Sequence, residues 1–164
     1  MSVRKAIIPV AGYGTRFLPA TRSIPKMMIP VLDRPAIHFA VEEATRAGIE
    51  HVVFVTSRGQ EAVSRYFDRI PDLEAALERK GDERALEQML EISDMVETST
   101  VVQEEPLGLG HAVLIAKEAV GNEPFAVFLP DDLIWSDSPT ISAMIELFSR
   151  YGSSVVAVNE VSDE

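Results

Sequence analysis

Apolar runs too short to be core helices recur along this chain, separated by stretches in which apolar residues repeat at helical spacing. That alternation is the strongest constraint on what it can fold into. Lys5-Ala-Ile-Ile-Pro-Val10, His51-Val-Val-Phe-Val-Thr56 and Phe125 to Leu129 each read as a strand covered on both faces, because a strand with one wet face alternates apolar with polar residues. Pro9, which has no ladder donor, is expected at the end of its strand. Ser99 to Gln103 and Ser154 to Val158 read as two more strands. Between them, Pro35 opens a helix with Ile37, Val41, Ala44 and Thr45 at helical spacing until Gly48 ends it. Gln60 to Tyr66 is a short helix, and Pro71 to Glu97 a helical hairpin broken at Gly81-Asp82. Gly110 to Val120 and Pro139 to Tyr151 are helices, the second with Met144, Leu147 and Phe148 inward. The order predicts an α/β fold: an open, mostly parallel sheet with helices on both faces and ligand-binding loops at the carboxyl ends of its strands.

The chain has 164 residues, enough for one domain with a real core, and is 46% hydrophobic and 25% charged, as globular domains are. Its formal charge of -11 argues against a nucleic-acid polymer or an anionic membrane as partner. With no cysteine, thiolate chemistry, disulfides and cysteine metal sites are excluded. No targeting or membrane-spanning pattern is visible, so the default location is cytoplasmic. The charge is uneven. Met1 to Arg34 holds six basic residues and one acid, a local +5, which leaves -16 on the other 130 residues. An anionic ligand would find its favourable field in that first segment, while Glu61 to Glu97 reads as the solvated face of helices.

Two glycines and then Pro19, Pro25 and Pro30 forbid a regular helix from Ala11 to Asp33. A loop that long in a compact chain is usually functional. It opens with Ala11-Gly-Tyr-Gly-Thr-Arg16, where the backbone at Ala11, Gly12, Gly14 and Thr15 can bring N–H groups onto a phosphate or a base edge. This is neither a dinucleotide fingerprint nor a Walker loop, since the third glycine and the Gly-Lys-Ser/Thr are missing. Arg16 is read as a bidentate phosphate clamp, with a solvent-facing arginine as the plain alternative. In Ile24-Pro-Lys-Met-Met-Ile-Pro30 two prolines fix the backbone around Lys26, which can meet charge on a transferring phosphate or simply face solvent, while Met27 and Met28 read as packing. Asp131-Asp132 follows a strand, where a carboxylate can ligate Mg²⁺ beside a bound nucleotide or merely form a turn.

These segments together resemble the N-terminal half of the bacterial UTP–glucose-1-phosphate uridylyltransferases, of the sugar-nucleotidyltransferase superfamily. The likeness is carried by Pro9 to Thr21, Ile24-Pro-Lys26, Asp33-Arg-Pro35, Gln103, Leu107-Gly-Leu-Gly-His-Ala-Val113 and Leu129-Pro-Asp131. It implies a Rossmann-like nucleotidyltransferase fold. It also implies that UTP and glucose 1-phosphate are joined, with Mg²⁺, to UDP-glucose and pyrophosphate. By the same resemblance the backbone at Ala11 and Gly12, with Gln103 and Gly108, reads the uracil. Arg16 and Lys26 hold the triphosphate, and Asp131 binds Mg²⁺. His111 is the one histidine placed near ligand, through its backbone N–H more than its ring; His38 and His51 read as packing or surface residues. Residues 1–164 are then the nucleotide-binding part of the domain, with a helical insertion at about 70–97 and the sugar-binding half absent. A homo-oligomer is among the partners this allows. Two departures stand out: Met27 replaces the glutamate usual after the motif lysine, and the family's chains are longer. Two other readings remain, a non-catalytic nucleotide-binding or subunit-interaction module and a dTTP-using transferase.

Overall fold

The computed structural model describes residues 2–134, 137–158 and 160–161. Strand β1, Lys5–Pro9, is followed by three 3-10 turns at Thr15–Phe17, Ala20–Arg22 and Lys26–Met28. A two-residue hairpin pairs β2, Pro30–Val31, with β3, Arg34–Pro35, antiparallel. Then come α1 (Ala36–Arg46), β4 (His51–Thr56), α2 (Ala62–Arg65), α3 (Pro71–Lys80) and α4 (Glu83–Ser93). The remainder is β5 (Glu97–Val102), α5 (Leu109–Ile115), α6 (Lys117–Val120), β6 (Phe125–Val127) and α7 (Thr140–Tyr151).

The main sheet has the order β5-β4-β1-β6 and every pairing in it is parallel. Ile7 of β1 stands opposite Val53 on one side and Val127 on the other. Side chains alternate across a strand, so the unbroken apolar run of β1 serves two cores. Ala6 and Ile8 join Ile37, Val41 and Ala44 of α1, Val63 of α2 and Ile141 of α7 on one face. Ile7, with Val53 and Val55, packs on the other against Ala112, Ala116 and Val120. Helices therefore cover both faces, as the apolar runs require.

Pro9 is the last residue of β1, and Pro35 directly precedes α1, where its missing N–H costs no hydrogen bond. The hairpin α3–α4 turns at Gly81, whose φ of 69° suits glycine, and Asp82 Oδ1 accepts from Ala85 N at 3.2 Å to start α4. On α1, His38 is buried between the Arg34 guanidinium and the Tyr66 hydroxyl, at 3.2 and 3.1 Å. Burial, seconded by Arg34, holds its imidazole below the ordinary histidine range.

Several expectations need correction. The helix expected over Gly110 to Val120 breaks at Ala116 into α5 and α6. The strand expected over Phe125 to Leu129 pairs for only three residues, and Phe125 and Val127 are 39% and 37% exposed. It lies at the sheet's edge, with β1 its only partner among the described residues. Ser154 to Val158 forms no strand: it pairs with nothing among the described residues, and Val156 and Val158 are 77% and 90% exposed. A β-prone sequence needs a neighbouring ladder, which this stretch lacks. Leu147 is 44% exposed, beside rather than on the inward stripe of Ile141, Met144, Ile145 and Phe148.

Candidate functional site

Numbering the main-sheet strands in chain order, β1, β4, β5 and β6 lie 3-2-1-4, so the chain passes from one side of β1 to the other between β5 and β6. In open α/β sheets that switch opens a crevice at the carboxyl ends of the strands on either side of it. Here those ends are the loop after β1 and the turn after β6. Between them is a cavity of about 230 Å³ lined by Gly12, Gly14, Thr15, Arg16, Phe17, Lys26 and Asp131.

Each wall has a local cause. Gly14 has φ 61°, and a Cβ there would lie 2.9 Å from Lys26 Cβ and 2.9 Å from Thr21 Cγ2. Only glycine fits without displacing Lys26. Thr21 Oγ1 donates to Gly14 O at 2.8 Å, which ties the loop back on itself. Pro25 leads into the 3-10 turn that carries Lys26, and the next residue, Met27, is 6% exposed within the core. The lysine's backbone is thus anchored by burial of its neighbour. Lys26 Nζ lies 5.4 Å from the Phe17 ring centroid and donates to Asp131 Oδ2 at 2.8 Å. This hydrogen bond, with support from the nearby charges of Lys26 and Arg16 and against the opposing effect of burial, holds the Asp131 carboxyl below the usual carboxylate range.

A second cluster lies at the carboxyl end of β5. Gln103 is buried one residue past the strand, its N–H donating to Thr56 O at 2.7 Å. Its Nε2 is 3.2 Å from Gly108 O and 2.9 Å from His111 Nδ1. Gly108, at φ 89°, takes a conformation that favours glycine and precedes α5. Arg58 and Glu104 pair at 2.6 Å across the loops after β4 and β5.

The structure therefore gathers Gly12, Gly14, Thr15, Arg16, Lys26 and Asp131 around one cavity. Gln103, Gly108 and His111 form their own hydrogen-bonded group on the same edge of the sheet, and half-buried Ala11 links β1 to the loop without lining the cavity. Two partners escaped the sequence reading. Phe17 forms the apolar face under the ammonium, and Thr21 pins Gly14. The signal for Phe17 was an aromatic residue beside Arg16 in a loop with no core of its own; Thr21 gave none. His51 binds Ser99 Oγ at 2.8 Å, and with buried His38 bears out a packing role for both.

Two cations and a carboxylate around an open cavity suit a polyanion and a divalent cation. No group of three metal-ligating side chains exists among the described residues, so these residues by themselves offer no cage. Mg²⁺ commonly takes one or two carboxylates and completes its shell with phosphate oxygens and water, and Asp131 fits that kind of site. A larger open groove of about 510 Å³ on α4 is lined by Leu86, Leu90, Glu83, Glu87, Glu91 and Asp94. Its charge repels the same anions. No helix among the described residues is long and apolar enough to cross a membrane.

The sequence model of the nucleotidyl transferase family matches residues 5–164. The chain is 46% identical over 162 residues to UTP–glucose-1-phosphate uridylyltransferase YngB of Bacillus subtilis, covering 99% of this chain and 54% of that protein. It is 47% identical over 161 residues to the UTP–glucose-1-phosphate uridylyltransferase of Staphylococcus epidermidis, covering 98% and 56%. Among solved structures, the UTP-bound UGPase from Acinetobacter baumannii superposes with TM-score 0.88 at 46% identity, covering 92% of this chain and 54% of that one. A UDP-glucose pyrophosphorylase complexed with UDP-glucose gives 0.83 at 42% identity, covering 98% and 58%. The chain spans about half the length of the curated relatives it matches.

Proposed function

Because the chain belongs to the nucleotidyl transferase family, we propose that it forms the nucleotide-binding part of a UTP–glucose-1-phosphate uridylyltransferase. One observation carries this reading: Arg16 and Lys26 of one loop and Asp131, 105 positions beyond Lys26, line one cavity at the strand-order switch. In the reaction a phosphate oxygen of glucose 1-phosphate attacks the α-phosphorus of UTP. One P–O bond forms, the bond to the β-phosphate's bridging oxygen breaks, and pyrophosphate leaves. The attacking group is already an anion, so no nucleophilic or acid–base side chain is needed. Alignment and positive charge where the oxygens gain negative charge suffice.

Arg16 offers a planar fork to adjacent phosphoryl oxygens, and Lys26 a compact ammonium. Lys26 is engaged by Asp131 at 2.8 Å, so a triphosphate that draws it away frees the carboxylate. Asp131 would hold the Mg²⁺ that accompanies the nucleotide, and the ion, when bound, neutralises charge on the phosphate oxygens. The backbone at Ala11 and Gly12, with Gln103 and Gly108, takes the uracil, and His111 lies against Gln103. Gly14 and Thr15 shape the phosphate wall.

The test is UDP-glucose formation from UTP and glucose 1-phosphate with Mg²⁺, using a Lys26→Ala control. The expected result is turnover by the parent chain that falls at least about a hundredfold in the variant. Parent turnover no greater than the variant's overturns the catalytic reading. Retained UTP binding in that case favours the second reading, a nucleotide-binding module.

A further inference from the structure

We propose that His111 is a positioning residue that fixes the Gln103 carboxamide, leaving its carbonyl rather than its amino group for the base of the nucleotide. The assignment rests on the uridine reading above and extends it to the question of which pyrimidine is taken. Gln103 is 7% exposed, so its amide has little access to bulk water. Its Nε2 lies 3.2 Å from the carbonyl oxygen of Gly108. A backbone carbonyl only accepts, so the nitrogen of the carboxamide must face it; the flipped amide would set two oxygens against each other.

The same Nε2 lies 2.9 Å from His111 Nδ1. With one amino hydrogen on Gly108, the other points to the ring, so Nδ1 must be the unprotonated nitrogen and the imidazole proton belongs on Nε2. Both donors of the carboxamide are then spent. Oε1 accepts no hydrogen bond among the described residues. A group with only an acceptor to offer favours a ligand edge that donates. Uracil presents an N3–H, whereas cytosine presents a bare N3 acceptor. Selection for uridine over cytidine then depends on the orientation of one amide, and that orientation on two acceptors, of which only His111 is a side chain.

The experiment compares calorimetric binding of UTP and CTP, with Mg²⁺, to the parent chain, His111→Leu and His111→Asn. Leucine removes the acceptor but keeps apolar bulk; asparagine returns a carbonyl oxygen near the place of Nδ1. The parent is expected to prefer UTP, His111→Leu to lose about three- to tenfold of that preference, and His111→Asn to recover most of it. An unchanged preference in His111→Leu, or an equal loss of both nucleotides, overturns the proposal. A parent chain that binds neither nucleotide overturns the uridine reading instead. The positioning role is then decided by nitrogen NMR: slow exchange of the Gln103 amide hydrogens and an Nε2–H imidazole support it. Exchange equally fast in the parent and in His111→Leu rejects it.

Discussion

Gly14 decides where Lys26 sits, because the space its missing Cβ would need is filled by Lys26 and Thr21, each at 2.9 Å. In Gly14→Ala the left-handed backbone alone costs about 1–2 kcal/mol, and the contact forces Lys26 or Thr21 to shift. The expected result is a lower urea midpoint together with weaker UTP binding; a variant with both unchanged would show that the loop is not built on this contact. The sequence marks Arg16, Lys26 and Asp131 individually, since each follows a strand or is bracketed by glycine or proline. The pairing of Lys26 with Asp131 is not legible there. It spans 105 positions and exists only because β1 and β6 are neighbours in the sheet. The partner of the His111 ring is illegible in the sequence for a related reason: helical position suggests where a backbone N–H points, but the partner of a side chain is set by what another strand brings alongside.

Among the elements, α1 does more than cover the sheet. Its Glu43 Oε1 accepts from Ile141 N at 3.3 Å, and its Arg46 Nη2 donates to Asp137 O at 3.2 Å. Pro139, at the N-cap of α7, provides no side-chain cap, and the Ile141 N–H of the first turn draws on α1. Removing such a cap typically costs about 0.5–2 kcal/mol. In Glu43→Ala the amides of α7 are expected to exchange faster with solvent while those of β4 stay protected; equal acceleration in both would mean that the cap is not local. Strands buried on both faces and helices with clear periodicity were readable from the chain, down to the limits of β4 and the turn at Gly81. Two of the failures share a cause. β6 and residues 154–158 depend on whether a neighbouring strand is present, and no local pattern encodes that.

At the scale of the whole molecule, the net charge of -11 conceals a first segment of +5 that supplies the cations of the cavity. The remaining surface repels anionic polymers without forbidding a small polyanion at that one place. Phe125 and Val127 of β6 are exposed, as are Leu129, Leu133 and Ile134 in the chain that follows it. Among the described residues β6 pairs only with β1, and an unpaired edge of this kind recruits strands from other chains. Light scattering at tens of micromolar is expected to show concentration-dependent self-association of the 164-residue chain, relieved by Val127→Lys; a strict monomer would count against it. The 3-2-1-4 order of the main sheet also bears on the order in which the molecule is made. The two walls of the cavity come from the first and last strands of that sheet, so a nascent chain ending at β5 carries both cations but not the carboxylate opposite them. Contacts so distant in sequence are slow to close and gain little until the intervening chain has collapsed. The β1–β4 core can assemble before the cavity exists, and the ability to hold a ligand there waits on the later pairing of β6 with β1.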